Sequence, residues 1–321
     1  MLNTTHRYTR IMRSAPVRVL VIFVAVLLFG TGCGHGIALE STKTAPQAYR
    51  DSVPPEKIQF PSTDSDLGVG TSTILDGYLF RPTGNGPFPA IVALHGCSGL
   101  FTSGSMNARF ADWGRRLAGL GYVVLFPDSF NPRGIREACT RKDRKSFSPN
   151  TERVRDANGA LRWLQSQAFV RGDAVGLMGW SNGGSTTLAA IDASKKENNK
   201  DFRVAVAFYP GCTSFARKET WLPRIPLTIL IGEADDWTPA ASCQSLVEHV
   251  RRKGRNADLV IFPHAYHDFD HPGLPLKTRK GLAFTVSKDG TATVGTNVEA
   301  RDAARALVPQ ILERYLKETG K

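Results

Sequence analysis

The stretch Ala174-Val-Gly-Leu-Met-Gly-Trp-Ser-Asn-Gly-Gly-Ser-Thr-Thr-Leu-Ala-Ala190 constrains this chain more than any other. An apolar run stops at Gly179-Trp180-Ser181-Asn182-Gly183 and a helical pattern of small residues begins at once, which reads as strand, sharp turn, helix. Gly-x-Ser-x-Gly in that setting describes a nucleophile elbow, where a strained turn lifts a serine hydroxyl above the carboxyl edge of a sheet. Gly179 and Gly183 have a mechanical reason to lack a Cβ, because it would meet the neighbouring strand or helix where the chain doubles back. Ser181 is the candidate nucleophile.

A serine hydroxyl is a weak nucleophile at neutral pH and needs a base, itself oriented by an acid. Behind an elbow the acid and then the histidine follow in the sequence, each just after a later strand. Leu227 to Ile231 reads as such a strand and is followed by Gly232-Glu-Ala-Asp235-Asp236. Asp235, three residues past Gly232, is the preferred acid; Asp236 is the alternative, and Glu233 lies too close to the strand end. Leu259 to Phe262 is the next strand, and His267, flanked by Tyr266 and Phe269, is preferred as base to His264 and His271. The oxyanion formed on attack needs two preset N–H donors. One is the amide of Asn182. The other is expected at Cys97, in the loop His95-Gly-Cys-Ser-Gly99 after the apolar run Ala90 to Leu94. Trp180, Tyr209 and Trp237, near strand ends, are expected to contact substrate.

Between these landmarks, strands and helices alternate: helix near Met106 to Leu120, strand Tyr122 to Phe126, helix Thr151 to Gln165, the elbow strand and helix, strand Phe202 to Tyr209, and helices near Pro239 to Arg252 and Val298 to Lys317. That alternation implies right-handed crossovers and a mostly parallel sheet, an α/β fold with helices on both faces. Thr71 to Arg81 should add an antiparallel strand. Phe284 to Val294 reads as a β-hairpin turned by Asp289-Gly290. The long loop Phe130 to Asn150 follows a strand's carboxyl end and is a candidate substrate wall.

Taken together, the elbow, the His95–Gly99 loop, Leu79-Phe-Arg-Pro-x4-Pro-Phe-Pro-Ala90, Gly232-Glu-Ala-Asp-Asp-Trp-Thr-Pro239 and Tyr266-His-Asp-Phe269 resemble the dienelactone hydrolase family of α/β-hydrolases, over about residues 70 to 315. The resemblance implies an α/β-hydrolase fold and hydrolysis of small carboxylic esters or lactones without a cofactor. One departure bears on substrate. Dienelactone hydrolases proper use cysteine as nucleophile and this chain has Ser181, which points to a serine carboxylesterase rather than to dienelactone itself. A peptidase or acyltransferase on the same residues, or an exported lipoprotein keeping the fold for binding, are the alternatives.

The chain's opening belongs to something else. Arg7, Arg10, Arg13 and Arg18 precede an apolar run from Val19 to Phe29, then Gly30-Thr-Gly-Cys33. This is the layout of an export signal over residues 1–32, with Cys33 as a candidate lipidation site, and residues 33–57 then read as a tether to a catalytic domain at 58–321. The protein is thus expected in the periplasm of a bacterium or anchored to a membrane through Cys33. Without those four arginines the net charge falls from +12 to +8. The remaining basic cluster, Arg251-Arg-Lys-Gly-Arg255, sits at a helix C-terminus with no interleaved aromatics, so nucleic acid is not expected as a partner. Cys97, Cys139, Cys212 and Cys243 allow three disulfide pairings; Cys97–Cys139 with Cys212–Cys243 is favoured. No Cys-x2-Cys pair suggests a metal.

Overall fold

A computed structural model describes residues 54–67, 70–142, 147–195 and 201–318, all within the unit Leu39–Lys321. The export signal, Cys33 and the tether as far as residue 53 lie outside the described residues. The first strand, β1 (Glu56–Pro61), starts two residues before the expected domain boundary. It is followed by β2 (Ile74–Phe80), β3 (Phe88–Leu94), the short pair β4 (Phe101–Thr102) and β5 (Ser105–Met106), α1 (Ala108–Gly119) and β6 (Val123–Asp128). Then come α2 (Glu152–Gln165), β7 (Val170–Trp180), α3 (Asn182–Ala190), β8 (Ala205–Phe208), α4 (Thr213–Ala216), β9 (Leu227–Gly232), α5 (Ala240–Arg252) and β10 (Ala257–Phe262). The chain closes with β11 (Lys277–Arg279), β12 (Ala292–Val294) and α6 (Val298–Leu316).

Eight strands form one sheet in the order β1-β2-β6-β3-β7-β8-β9-β10, in which only β2 runs against its neighbours. Every residue from Pro89 to Leu94 is buried, so β3 is covered on both faces, as its unbroken apolar sequence requires. Because β3, β7, β8, β9 and β10 are parallel, the loops that follow them gather at one edge of the sheet. That edge receives the candidate nucleophile, acid and base, Ser181, Asp235 and His267, and the loop with Cys97.

The helices start and stop for local reasons. Asn107 caps α1 by accepting from the Arg109 amide at 3.0 Å, and Asn297 caps α6 through the Ala300 amide at 2.9 Å. Proline inside a helix has no N–H for the carbonyl four residues back. In α6 that residue is Pro309, and the Arg305 carbonyl it leaves is taken by the Arg116 guanidinium of α1 at 3.0 Å, so the break in one helix is repaired by its neighbour.

Two expectations need correction. Pro239 caps α5 in an extended conformation rather than entering its first turn. The hairpin expected over Phe284 to Val294 does not form; Ala292–Val294 pairs instead with Lys277–Arg279. The Asp289 carboxylate folds the intervening segment on itself by accepting from the Ser287 hydroxyl (2.5 Å) and from the Thr291 amide (2.7 Å), which replaces ladder bonds with local ones.

Candidate active site

Strand β7 runs directly into Ser181, whose backbone adopts φ 53° and ψ −111°, a conformation rare for a residue with a side chain. Its neighbours make the turn possible. A Cβ on Gly179 would lie 2.2 Å from the Gly183 carbonyl oxygen, and one on Gly183 2.1 Å from that of Leu94. Asn182 is already the first residue of α3, two residues earlier than the sequence suggested, so its amide has no acceptor within the helix.

The exits of β9 and β10 cross equally tightly, since a Cβ on Gly232 would be 2.1 Å from the Ala265 carbonyl. That contact sets Asp235 beside His267. Asp235 Oδ1 accepts from the amides of Trp237 (3.0 Å) and Thr238 (2.8 Å), which fixes the carboxylate. Its Oδ2 lies 2.8 Å from His267 Nδ1 and accepts from the Thr238 hydroxyl at 3.0 Å. His267 Nε2 lies 2.9 Å from Ser181 Oγ. With Nδ1–H donating to the carboxylate, Nε2 is the ring nitrogen left to accept the serine proton. The structure thus brings together three of the residues singled out from sequence. The other candidates fall aside: Asp236 Oδ1 accepts from the Thr293 amide (2.8 Å), His264 is exposed, and His271 accepts from the Gly273 amide (3.2 Å).

Burial of His267 opposes its cation, but the Asp235 carboxylate outweighs burial and raises its pKa above the ordinary 6.5. A base must be neutral to accept a proton. Turnover at low substrate concentration should therefore fall on the acid side through a pKa above 6.5, with the protein still folded there, because the protonated imidazole is the form the fold favours. A pH profile of kcat/KM beside a melting curve checks this; an acid limb well below pH 6 would contradict it.

A cleft of about 660 Å³ opens over Ser181 and Asn182. Ala138, Cys139, Pro149 and Asn150 of the long insertion line it, as does Cys97. Cys97 and Cys139 are joined by a disulfide, Cys212 and Cys243 by another, and the Cys97 carbonyl accepts from the Ala138 amide at 2.8 Å. The expected oxyanion loop is thereby tied to the insertion that forms the wall.

Of the three aromatics expected to contact substrate, Trp237 lines the cleft, with its ring centroid 4.8 Å from that of His267. Trp180 and Tyr209 do not, and both are fully buried. Large rings with one polar handle bury their apolar bodies and seek one partner for the handle. Here the partner is Asp270, which accepts from the indoles of Trp180 and Trp113 at 2.8 Å each and from the Tyr209 hydroxyl at 2.6 Å. Arg109 bridges Asp268 (2.7 Å) and Asp270 (3.3 Å). Burial works against this guanidinium, yet the carboxylates outweigh it and raise its pKa. The network sits beneath the His267 loop, and the Tyr209 ring lies 4.5 Å from the imidazole. Arg109 and Asp270 were not singled out from sequence, since their partners are up to 161 residues away along the chain.

The profile of the Dienelactone hydrolase family matches residues 75–315. The chain belongs to the dienelactone hydrolase family. Like the family, it is a carboxylic ester hydrolase built on the α/β-hydrolase fold. It is 26% identical over 224 residues to a protein of Bradyrhizobium sp described as a probable 2-oxo-3-(5-oxofuran-2-ylidene)propanoate lactonase, covering 64% of this chain and 82% of that one. It is 28% identical over 262 residues to mouse dipeptidyl peptidase 8, covering 69% of this chain and 27% of the peptidase. Among solved structures, Thermogutta terrifontis esterase 2 phosphorylated by paraoxon shares the fold, with a TM-score of 0.58 at 21% identity over 83% of this chain and 96% of that one.

Proposed function

We propose that this dienelactone hydrolase family member cleaves small carboxylic esters or lactones through an acyl-enzyme on Ser181. The observation that carries the reading is the continuous line from Ser181 Oγ through His267 to Asp235, with links of 2.9 and 2.8 Å, whose outer end, Ser181, lines the cleft. Ser181 Oγ attacks the carbonyl carbon as its proton passes to His267 Nε2, and the carbonyl oxygen becomes an oxyanion held by the Asn182 and Cys97 amides. Collapse expels the alkoxide, which takes the proton from His267. Water then attacks the acyl-enzyme with His267 again as base, and the acid leaves. Asp235 holds the ring with Nδ1 protonated and stabilises the imidazolium. A lactone follows the same steps, its alcohol remaining tethered to the acyl group.

The cleft rim favours a substrate with an apolar part. Phe284 and Val286 line it and are 55% and 51% exposed, so the rim presents apolar area that the longer acyl chain of a substrate would cover. The test is turnover of nitrophenyl esters from acetate upward, a five-membered lactone and the matching nitroanilides, by residues 34–321. Serine-dependent turnover of esters well above anilides is expected, and Phe284→Ala should raise KM several-fold for the longer acyl chains but not for acetate. Anilides cleaved faster than esters would favour the peptidase reading, for which the likeness to a dipeptidyl peptidase is the motive. No turnover of any member by folded protein would sink the proposal.

We also propose that the chain is exported and tethered through Cys33. The arginine-flanked apolar run before Cys33 supports this, as do two disulfides, which persist in oxidising compartments. Palmitate labelling lost in Cys33→Ser would support the tether; labelling unchanged would remove it.

A further inference from the structure

Helix α2 carries a charge where its pattern calls for an apolar side chain. Arg153 shares a face with Ala157, Ala160, Leu161 and Leu164, and is 0% exposed. A buried guanidinium is costly unless it is well partnered, so its choice of partners is informative. Nη1 donates to Asn182 Oδ1 at 2.5 Å, and Nη2 donates to the His95 carbonyl at 2.8 Å. These acceptors lie on the two segments that meet at the oxyanion: Asn182 follows the nucleophile, and His95 opens the loop containing Cys97.

The two segments touch backbone to backbone, a Cβ on Gly183 falling 2.6 Å from the His95 carbonyl oxygen. Phe130 seals the junction, its ring 5.3 Å from the Arg153 guanidinium and 4.5 Å from the His95 ring. His95 Nδ1 donates to the Gly96 carbonyl (2.8 Å) and Nε2 accepts from the Ser129 amide (3.3 Å), an arrangement that requires neutral imidazole. Burial, with the Arg153 charge adding to it, holds the His95 pKa well below the usual value. Burial lowers the Arg153 pKa to about 10, with Asp156 and Asp128 opposing, so the guanidinium remains a cation at neutral pH.

We propose that Arg153 is the positioning residue of the oxyanion hole, its two-pronged guanidinium setting the spacing between the Asn182 and Cys97 amides. The proposal rests on the acyl-enzyme reading of Ser181. Two donors aimed at one oxygen have to be held to about 0.5 Å, and a lysine ammonium cannot reproduce a planar fork spanning two acceptors. Arg153 touches no substrate. Its effect should therefore appear where charge develops on the carbonyl oxygen and not in ground-state binding.

The test compares wild type, Ser181→Ala, Arg153→Lys and Asn182→Ala on nitrophenyl acetate, with a phenylboronic acid as tetrahedral probe. Asn182→Ala keeps the backbone amide and cuts one end of the clamp. Arg153→Lys should lower kcat by about 100-fold with KM within about twofold, and weaken boronate binding by a similar factor. Asn182→Ala should lower kcat by about 10-fold, and the double variant should lose less than the product of the two. Millimolar guanidinium should restore part of the rate to Arg153→Gly. Folded Arg153→Lys with kcat and boronate affinity within about twofold of wild type would overturn the proposal. So would an equal loss of substrate and boronate binding, which marks a merely structural role. If Arg153→Lys does not fold, Asn182→Ala is judged by the same criteria. Turnover unchanged in Ser181→Ala would instead fail the acyl-enzyme reading itself.

Discussion

Ser181→Ala is expected to lower kcat by about 10⁶-fold, roughly 8 kcal/mol of transition-state stabilisation, while leaving the melting temperature within a degree or two. The loss is large because the hydroxyl is the atom that forms the covalent bond, and no other nucleophile stands within hydrogen-bonding reach of His267 Nε2 among the described contacts. The fold should be indifferent. Alanine and serine meet the same steric problem at φ 53°, so the strained turn is neither relieved nor worsened, and the glycines that make room for it are untouched. Turnover and calorimetry on one preparation check both halves of this expectation. Activity within 100-fold of wild type would remove Ser181 as the nucleophile.

Asp235→Asn should lower kcat by about 10⁴-fold with little change in KM, and Asp236→Asn by less than about threefold. The amide nitrogen of an asparagine beside His267 Nδ1 would donate where the native carboxylate accepts, turning the ring to the tautomer with a proton on Nε2. That nitrogen could no longer accept from Ser181. Asp235 also holds the amides of Trp237 and Thr238, and an asparagine oxygen can retain these bonds, so the turn should survive. Asp236 faces another task, since its carboxylate holds the Thr293 amide of β12. Its loss should register as a small drop in stability. Steady-state kinetics and melting curves for the two variants distinguish adjacent aspartates that differ by one position in sequence; equal rate losses would contradict the geometry.

Much of the architecture was legible in local sequence. The alternation of apolar runs with amphipathic stretches is imposed residue by residue, because a strand covered on both faces cannot carry polar side chains and a surface helix must carry them on one side. β3 and the part of β7 from Ala174 onward were therefore visible as apolar segments, whereas the first residues of β7, Val170-Arg-Gly-Asp173, were not. The elbow was visible for a related reason: a Cβ 2.1 or 2.2 Å from a carbonyl oxygen is forbidden, and only glycine avoids it. The order serine, acid, histidine narrowed the partners to a few neighbouring candidates. It did not separate Asp235 from Asp236, because both lie on the same loop and only the crossing of the β9 and β10 exits decides which carboxylate turns to His267.

Tryptophan and tyrosine beside an active serine invite a role with substrate, yet Trp180 and Tyr209 point to Asp270, 90 and 61 residues further on. No local pattern encodes a hydrogen bond over that separation. The hairpin expected at Asp289-Gly290 failed similarly, a side chain having closed the loop in place of the ladder. Arg153 lies between these cases. Helical spacing places it in line with Ala157, Ala160, Leu161 and Leu164, but its burial and its acceptors on Asn182 and His95 exist only after α2, α3 and the loop after β3 have packed. The sequence by itself determined which segments become the central parallel strands and the helices between them, where the turn must be glycine, and which residue types stand at the catalytic edge, because these depend on neighbours along the chain. Only the tertiary structure decided which of those residues touch, because a contact of 2.8 Å between groups 30 to 160 residues apart is set by how sheet, helices and loops pack together.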